Sequence, residues 1–571
     1  MGQVFASKVK VMDALKKAEA FMPGQKFEMK RYSSSTDGKT IEEPFYIFNI
    51  VDGGGYVLVS AEDQTEAILG YSTKGNIDLN NIPDNLRYWL DFYAAEINAV
   101  KEGRMKATPR RSVPARANIE PLLTSKWNQG EPYNLMCPDG NGVDFYLDDY
   151  ESSNRCVTGC VATAVAQVMY YHKWPEQTTA IPSYNLWGSI TLDELAATTL
   201  EWNKMKNVYS KSETGEEAQA VAKLMRYVGQ AFEMDYGTAE NGGSGANIYN
   251  DRMVNCFGYS KQIHTKERDY YTTEQWENMV YAELVNNRPV PYGGFCDGGG
   301  GHQFVCDGYK DGMFSLNWGW GGHLDGYFIL SIADPDGDQG IGGGSGAFKY
   351  WQDAVFNFMP AAANEEEVPY LTSVVDTSFQ PSQYTREHAT DNFSDVTVSG
   401  TFETHYSYVP VTTYNISVGW GIYRDEQFVK CIGSWDCNID HTSLNPNQYY
   451  IYPNEMTLSF GEDLANGRYQ LRQISRKAGS SEDWTLMDNY GTNCLMATVS
   501  GTSLRIRPLA TFTLGDANSD GTISMTDVVT TLSYLLGENP AGFDEDAADL
   551  NGDGVVTISD VLILMDMVNQ E

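Results

Sequence analysis

The chain has 571 residues, and its 76 Asp and Glu against 40 Lys and Arg give a formal net charge of −36. This charge argues against a nucleic-acid-binding protein, since phosphate contacts need a basic surface. No stretch reaches the roughly 20 apolar residues that span a bilayer. The length predicts three to five domains, and the acidic composition suits a soluble extracellular protein with acidic metal sites.

Residues 1–112 are predicted to form an α+β domain followed by a linker. The apolar spacing predicts two helices, at 11–21 and 86–100, and a hairpin with strands at 45–50 and 55–60. Its last residues, 101–112, are basic and unpatterned, which is typical of exposed linkers that proteases cut. The first six residues lack the pattern of a secretory signal. We expect that a native signal was removed and that the protein is secreted or lies at the cell surface.

Cys160 is the candidate nucleophile of the region 113–362. It follows Gly159 and opens the apolar run 161–171, which is predicted to be a buried helix. A thiolate at the N-terminus of a helix is stabilised by the helix dipole. The odd count of nine cysteines leaves at least one thiol free. The alternative is a buried structural thiol, which is a common state of free cysteine.

Cys156 lies four residues before Cys160 and leaves two further possibilities open. With Cys160 and His172 it could form a zinc site, although a single CxxxC pair is a weak metal motif. The pattern favours a Cys156 that packs in the core or pairs with Cys137.

His302 is the candidate base and lies 142 residues after Cys160. The four glycines at 298–301 precede it, and such a loop lets a substrate backbone approach the ring. A catalytic imidazole also needs a partner that fixes its tautomer. Asn317 is the candidate for that partner, and Trp318 would shield the ring.

Two more residues are candidates for the active site, one as an alternative base and one as an oxyanion-hole donor. His323 ends the motif that begins at Asn317 and is the rival base. Gln129 lies upstream of the nucleophile, and its side-chain amide could form an oxyanion hole together with the backbone N–H of Cys160.

Residues 363–508 are predicted to form a β-sandwich. Ile416, Val418, Trp420 and Ile422 alternate with Ser417, Gly419 and Gly421, which is the period of a half-buried strand. Several such runs separated by turn signals are typical of a sandwich. No residue of this region has the pattern of a catalytic site.

Residues 509–571 contain a twelve-residue acidic loop twice, at 516–527 and again 33 residues later at 549–560. Positions 1, 3, 5, 7, 9 and 12 are Asp516, Asn518, Asp520, Thr522, Ser524 and Asp527, then Asp549, Asn551, Asp553, Val555, Thr557 and Asp560. Calcium takes six to eight oxygen ligands, position 7 contributing its carbonyl, and glycine at position 6 permits the sharp turn. Gly521 and Gly554 stand there, so the sequence predicts two calcium sites.

The segments WNQGEPYN, TGCVATAVAQVMYYHKWP, GGGHQFVCDGY and NWGWGGHLDGYF make residues 120–335 similar to the streptopain family of secreted, papain-like cysteine proteases. Residues 1–112 resemble the inhibitory propeptide of that family. The resemblance implies that Cys160 is the nucleophile, His302 the base, Asn317 and Trp318 the residues that orient and cover the base, and Gln129 the oxyanion amide. Gln303 departs from the alanine that often follows the family's histidine, which puts substrate preference in doubt.

The acidic repeats resemble dockerins, because Asp takes the place of the EF-hand Glu at position 12 and a helix is expected after each loop without a regular helix before it. Dockerins are adaptors, so the resemblance implies a cohesin-like or cell-surface partner.

The expected protein is multidomain. An α+β propeptide (1–112) precedes an α+β papain-like catalytic domain (113–362), a β-sandwich (363–508) and a small α-helical dockerin-like calcium module (509–571). The expected function is that of a secreted cysteine endopeptidase made as a zymogen, acting on proteins or peptides without a catalytic cofactor. The alternatives are a catalytically silent adhesion or scaffold protein, and an amidase or transglutaminase.

Overall fold

The computed structural model describes residues 8–36, 39–51, 54–102, 116–140, 155–186, 188, 190–239, 243–296, 300–332, 350–363, 365, 370–376, 381–406, 413–424, 427–440, 449–460, 464–481, 483–488, 494–509 and 514–570. These residues form two compact units, one up to residue 365 and one from residue 370.

The first unit combines α-helices with antiparallel strands. Its helices are α1 Val11–Phe21, α2 Asp84–Lys101, α3 Cys160–His172, α4 Glu216–Ala231, α5 Asn250–Phe257 and α6 Thr273–Val285, with a 3-10 turn at Arg268–Tyr270. Its strands are β1 Phe27–Thr36, β2 Lys39–Ile50, β3 Tyr56–Ser60, β4 Ile68–Ser72, β5 Tyr184–Leu186, β6 Ile190–Leu192, β7 His264–Glu267, β8 Val290–Cys296, β9 Gly300–Lys310, β10 Met313–Asn317, β11 Gly326–Phe328 and β12 Tyr350–Phe356. The predicted helices at 11–21, 86–100 and 161–171 and the predicted hairpin are confirmed.

One sheet runs through this unit in the order β1-β2-β3-β4-β11-β10-β9-β8-β12-β7. The first four strands come from the N-terminal region, and β4 joins them to β11. There Tyr71 pairs with Tyr327 and Gly70 with Phe328, and the two tyrosine rings stack at 5.2 Å. A Cβ atom at position 70 would lie 2.5 Å from the Phe328 ring, so the joint requires glycine.

Two helices lie against this sheet near its centre. The N-terminal helix α2 packs on β1, β2 and β9, and α3 packs on β8, β9 and α4. Every residue of α3 from Val161 to Tyr170 is buried, as expected of a helix that is apolar on all sides. Strand β9, which carries His302, is therefore in contact with both helices.

The second unit is mainly β. Its strands are β13 Tyr370–Asp376, β14 Ser382–Thr385, β15 Phe393–Val398, β16 Thr401–Tyr406, β17 Thr413–Arg424, β18 Gln427–Asp440, β19 Tyr449–Pro453, β20 Met456–Phe460, β21 Gly467–Lys477, β22 Thr485–Leu486, β23 Leu495–Ser500 and β24 Ser503–Pro508. Within the described residues the large sheet has the order β14-β24-β23-β21-β17-β18, with β22 beside β21. The small sheets β13-β16-β19 and β15-β20 share its core clusters, which gives two packed layers.

Strand β17 differs from the prediction on one point. Ile416, Val418, Trp420 and Ile422 point into the core as expected. Ser417 and Tyr423 on the other face are also buried, at 5% and 4% exposure, and the Ser417 hydroxyl donates to the Asp436 side chain of β18 at 2.7 Å. The strand is thus buried on both faces instead of half-buried.

Three helices follow the strands, α7 Met525–Leu535, α8 Glu545–Ala548 and α9 Ile558–Gln570. A helix follows each acidic loop, as predicted, while the short α8 precedes the second loop. Val528 of α7 packs against Val561 and Leu564 of α9. In the part of the chain that is described, no helix is both long and apolar enough to cross a membrane.

Candidate active site and calcium loops

Cys160 is the first residue of α3, and the chain reaches it through a tight turn. Gly159 has φ +84°, and a Cβ atom there would lie 2.8 Å from Met234 Sδ and 2.9 Å from the Ser244 carbonyl oxygen. Glycine is required on both counts. The Thr163 hydroxyl donates to the Gly159 carbonyl oxygen at 2.9 Å and so fixes the first turn of the helix. The thiol is therefore held at a helix N-terminus.

The surroundings of this thiol keep it protonated. Burial raises the pKa of Cys160, and the backbone N–H of Gln303 is the largest influence in the opposite direction. The thiol therefore lies against the backbone of the residue that follows the candidate base.

His302 lies in β9 and is half-buried. Burial lowers the pKa of its imidazole, and the nearby Asp84 carboxylate acts in the opposite direction. The Tyr88 ring lies 5.6 Å from the imidazole, between ring centroids. Asp84 and Tyr88 both belong to α2, so the N-terminal domain supplies the immediate neighbours of the ring.

Asn85 of α2 hydrogen-bonds to two segments of the candidate site, the one that carries His302 and the one that carries Trp318. It is 1% exposed, and its side-chain N–H groups donate to the carbonyl oxygens of Gln303 at 3.0 Å and Trp318 at 2.8 Å. Trp89, one turn along the same helix, contacts the Phe304 and Trp318 rings. The first turns of α2 therefore lie directly over the candidate site.

Asn317 is buried at the end of β10, and its partners differ from the expected one. Its amide donates to the Ser125 carbonyl oxygen at 3.1 Å, and its side-chain oxygen accepts from Gln167 at 3.3 Å and from the Gly319 N–H at 3.1 Å. No hydrogen bond among the described residues joins it to His302. Gln167 lies on α3, so Asn317 connects β10 to the nucleophile helix in this state.

Trp318 and Gln129, the two remaining candidates, each have a backbone or side-chain contact near the site. Trp318 is fully buried, and its indole N–H donates to the Leu324 carbonyl oxygen at 3.0 Å. Gln129 is half-buried, and its carbonyl oxygen accepts from the Thr158 N–H at 3.0 Å, two residues before Cys160. That contact places the Gln129 backbone beside the nucleophile turn.

The rival residues have other partners. His323 is exposed, and its ring contacts the Asn81 carbonyl oxygen of the N-terminal domain at 3.3 Å. His172 contacts the Tyr259 hydroxyl at 3.2 Å, and burial lowers its pKa to about 4. Cys156 and Cys137 are buried free thiols, and burial, with a smaller contribution from the nearby Cys156, raises the pKa of Cys137. Among the described residues no zinc-type ligand cluster exists.

The sequence did not single out Gln167, Asn85 or Tyr88. Gln167 carries a usable signal, since it is the one amide in the otherwise apolar and small run of α3, and a buried amide needs a partner. Asn85 and Tyr88 carry none, because their role comes from a strand more than 200 residues away.

The two acidic loops have the same internal hydrogen bonds. Asp516 accepts from the N–H groups of Asp520 and Gly521 at 3.0 and 2.9 Å, and Asp549 accepts from the matching groups of the second loop at 3.2 and 2.9 Å. Asp527 and Asp560, at position 12, are fully buried. Each binds two N–H groups across its loop.

This donor set fits calcium. Buried carboxylates without a cation are costly, and a hard cation that takes oxygen ligands would compensate them. No group of three or more His, Cys, Asp or Glu side chains poised for a metal is found in the described residues. A bound calcium ion would therefore also need the amide, hydroxyl and carbonyl oxygens of the loops.

The fold and site together define a class. A thiol at a helix N-terminus, a histidine on the strand against which that helix packs, and an N-terminal α+β domain in contact with the histidine are features of a papain-like cysteine peptidase with an N-terminal inhibitor domain. Comparison with known families agrees. The peptidase C10 family matches residues 127–328, the Spi protease inhibitor family residues 6–97, and the dockerin type I domain residues 514–569.

Individual relatives make the assignment specific. Streptopain of Streptococcus pyogenes serotype M28 is 34% identical over 330 residues, which cover 55% of this chain and 80% of streptopain. The thiol protease/hemagglutinin PrtT of Porphyromonas gingivalis is 35% identical over 341 residues, which cover 56% of this chain and 37% of PrtT. A solved fragment of Prevotella intermedia prointerpain A is 31% identical and covers 58% of this chain and 99% of the fragment, with a TM-score of 0.46. The chain belongs to the peptidase C10 family, that of streptopain, and carries a C-terminal dockerin-like module.

Proposed function

We propose that this peptidase is a secreted endopeptidase made as an inactive precursor, in which residues 1–112 are the inhibitory propeptide and 113–362 the catalytic domain. The observation that carries the proposal is the Asn85 side chain, which donates to the backbone of both Gln303 and Trp318. A substrate needs the space beside the Cys160 thiol and the His302 ring, and α2 lies there.

Release of the propeptide lets His302 and Cys160 form an ion pair. Without α2, the imidazole loses its contact with Tyr88 and can take the proton of the thiol. The helix dipole of α3 and the imidazolium then both stabilise the thiolate. Asn317 and Trp318 are proposed to orient and cover the imidazole in that active form.

The reaction is acyl transfer to the thiol. The Cys160 sulfur forms a bond with the peptide carbonyl carbon, and the Cys160 N–H and the Gln129 amide stabilise the oxyanion. His302 gives its proton to the leaving amine as the C–N bond breaks. Water then attacks the thioester while His302 accepts one of its protons and the C–S bond breaks. The products are a carboxylic acid, which loses its proton to solvent, and the restored thiolate–imidazolium pair.

We further propose that the two acidic loops bind two calcium ions. Asp516, Asn518, Asp520, Ser524 and Asp527, with the Thr522 carbonyl, would hold the first ion. Asp549, Asn551, Asp553, Thr557 and Asp560, with the Val555 carbonyl, would hold the second. Calcium supplies charge compensation that orders both loops, and the ordered module would bind a cohesin-like or cell-surface partner.

Self-processing tests the peptidase proposal. The full chain is incubated with a reductant beside the Cys160→Ala variant, and the fragments are identified by mass spectrometry. We expect cuts between about residues 101 and 118 in the unsubstituted chain alone, since exposed, unpatterned linkers are where proteases cut.

If both chains stay intact, an external protease is added and Cys160 is labelled with an epoxide thiol inhibitor. Labelling after that cut supports activation in trans. An unlabelled Cys160 after removal of the propeptide would contradict the peptidase proposal and favour a catalytically silent scaffold.

A further inference from the structure

The second acidic loop lies directly against the β-sandwich. The backbone N–H of Arg468, in β21, donates to the Gly552 carbonyl oxygen at 3.0 Å. A Cβ atom at Gly554 would lie 2.3 Å from the Val499 carbonyl oxygen of β23 and 2.9 Å from the Gly467 nitrogen. Gly554 is also the position-6 glycine of the loop, so the closest approach of the sandwich occurs inside the calcium-binding segment itself.

Arginines of β24 bind the acidic turn that leads into this loop. Arg507 donates to both carboxylate oxygens of Asp544 at 2.8 and 3.0 Å, and Arg505 donates to Asp546 at 2.8 Å and pairs with Glu545. The Asp546 side chain is 5% exposed. Bidentate, desolvated pairs of this kind fix geometry more firmly than exposed ion pairs do.

Among the described residues, no such contacts are found for the first loop, although its sequence is nearly the same. A Cβ atom at Gly521, which matches Gly554, would meet no atom of these residues within 4 Å. Ser519, which matches Gly552, is exposed. The residues that correspond to the acidic turn 544–546 are Thr511, Phe512 and Thr513, which carry no charge. Both the sequence and the contacts therefore distinguish the second repeat from the first.

We propose that β21, β23 and β24 form an intramolecular docking surface for the second repeat, so that calcium binding by loop 549–560 stabilises the β-sandwich, whereas calcium binding by loop 516–527 does not. The inference rests on the proposed calcium binding. Calcium that binds only the ordered loop favours the state in which that loop is closed, and the closed loop is the one that fits against β21 and β23. In this proposal the function of the sandwich is to bind the second repeat and hold it in its calcium-bound conformation.

Hydrogen exchange on the full chain tests this coupling. The Cys160→Ala background prevents self-cleavage, and exchange of β21, β23 and β24 is followed by mass spectrometry with and without calcium. At free calcium of about 100 times the dissociation constant, opening that releases the ion becomes about 100-fold rarer, and exchange slows accordingly. We expect this slowing to persist in Asp520→Ala and to be lost in Asp553→Ala, which removes the matching exposed ligand of the second loop.

A second matched pair of variants, Gly521→Ala and Gly554→Ala, tests the contact between the second loop and the sandwich instead of a calcium ligand. Gly521 and Gly554 have φ values of +85° and +86°, so alanine strains both loops equally. Gly554→Ala alone would also collide with Val499, so only this variant should raise sandwich exchange in calcium. Calcium calorimetry on each variant separates the possible failures. If the parent chain binds two calcium ions but calcium slows hydrogen exchange of the sandwich equally in Asp520→Ala and Asp553→Ala, the docking proposal alone is overturned. If the parent chain takes up no calcium, the calcium assignment is overturned as well.

Discussion

Cys160 and His302 lie on elements that pack together, the helix α3 and the strand β9, and each side chain has other neighbours in this structure. The thiol faces the Gln303 N–H, while the imidazole faces Tyr88. Because burial raises the pKa of Cys160 and lowers that of His302, both groups are neutral near pH 7. A neutral thiol is a poor nucleophile, so under the proposed function proton placement as well as steric cover would keep the full chain inactive.

Iodoacetamide should therefore label Cys160 at different pH values before and after processing. In the precursor the raised pKa means that the thiolate forms only above the ordinary value of about 8.5, so iodoacetamide labelling should rise only in alkaline solution. In the processed enzyme the ion pair with His302 should shift the rise to well below pH 7. Mass spectrometry measures the label on each species in one sample, and Cys160→Ala corrects for the other thiols. Identical profiles would contradict the proposed rearrangement.

Asn85 should control how tightly the propeptide inhibits. Asn85→Ala removes two hydrogen bonds and leaves two buried carbonyl groups unpaired, at a cost of about 1–3 kcal/mol, or about 5- to 150-fold in affinity. We expect faster self-processing of the full chain, followed by gel and mass spectrometry. Asn80→Ala is the control, since Asn80 is exposed and its amide hydrogen-bonds to the nearby Asp78 on the same loop. Equal processing rates in the two variants would show that the Asn85 contacts do not hold the propeptide.

At the scale of elements, β9 carries more than the candidate base. Asp307 on the same strand is 1% exposed, accepts from the Leu123 N–H at 3.3 Å, and has one oxygen without a partner among the described residues. Burial raises the pKa of its carboxyl to about 7. The strand that positions His302 is thus sensitive to pH.

Asp307 should destabilise the first unit as pH rises. Its folded pKa of about 7 lies above the unfolded value of about 3.9. The contribution of this carboxyl to the free energy of unfolding is therefore fully present below about pH 4 and decreases as the pH rises to about 7. The loss is up to about 4 kcal/mol at about 1.4 kcal/mol per unit. Relative to its parent in the Cys160→Ala background, Asp307→Asn should raise the unfolding midpoint by an amount that grows from pH 4 to 7 and then stays constant. Asp311→Asn, in the exposed turn that follows, should show no such trend.

Helices and strands were easier to predict from the sequence than the hydrogen-bond partners of individual side chains. The helices at 11–21 and 161–171 followed from apolar spacing, because that signal is local. The Asn317 side chain contacts Gln167 and Ser125, and no local pattern specifies an amide partner from another element. The roles of Cys160, His302, Asn317, Trp318 and Gln129 stay predictions, because the contacts among the described residues do not test proton transfer between them.

At the scale of the whole molecule, the sequence suggested a propeptide and a catalytic domain as separate folds, whereas one sheet joins them. Tyr71 and Tyr327 pair across the joint although 256 residues separate them. Such a distant pairing has no local signature. We therefore expect that cutting the linker alone would not release the N-terminal domain, because the β4–β11 pairing and the Asn85 contacts do not depend on the linker.

Calcium should govern the second unit without governing catalysis. Both acidic loops lie in the second unit, and Cys160 and His302 lie in the first. Chelation leaves the buried Asp527 and Asp560 without compensating charge, so the module should lose order and become sensitive to an added protease. Hydrolysis of casein by the processed enzyme should stay the same in EGTA, while the fragment pattern from residues 509–571 changes and is restored by calcium but not by magnesium. A loss of casein hydrolysis in EGTA that parallels the loss of the module would show that the calcium loops act on the active site.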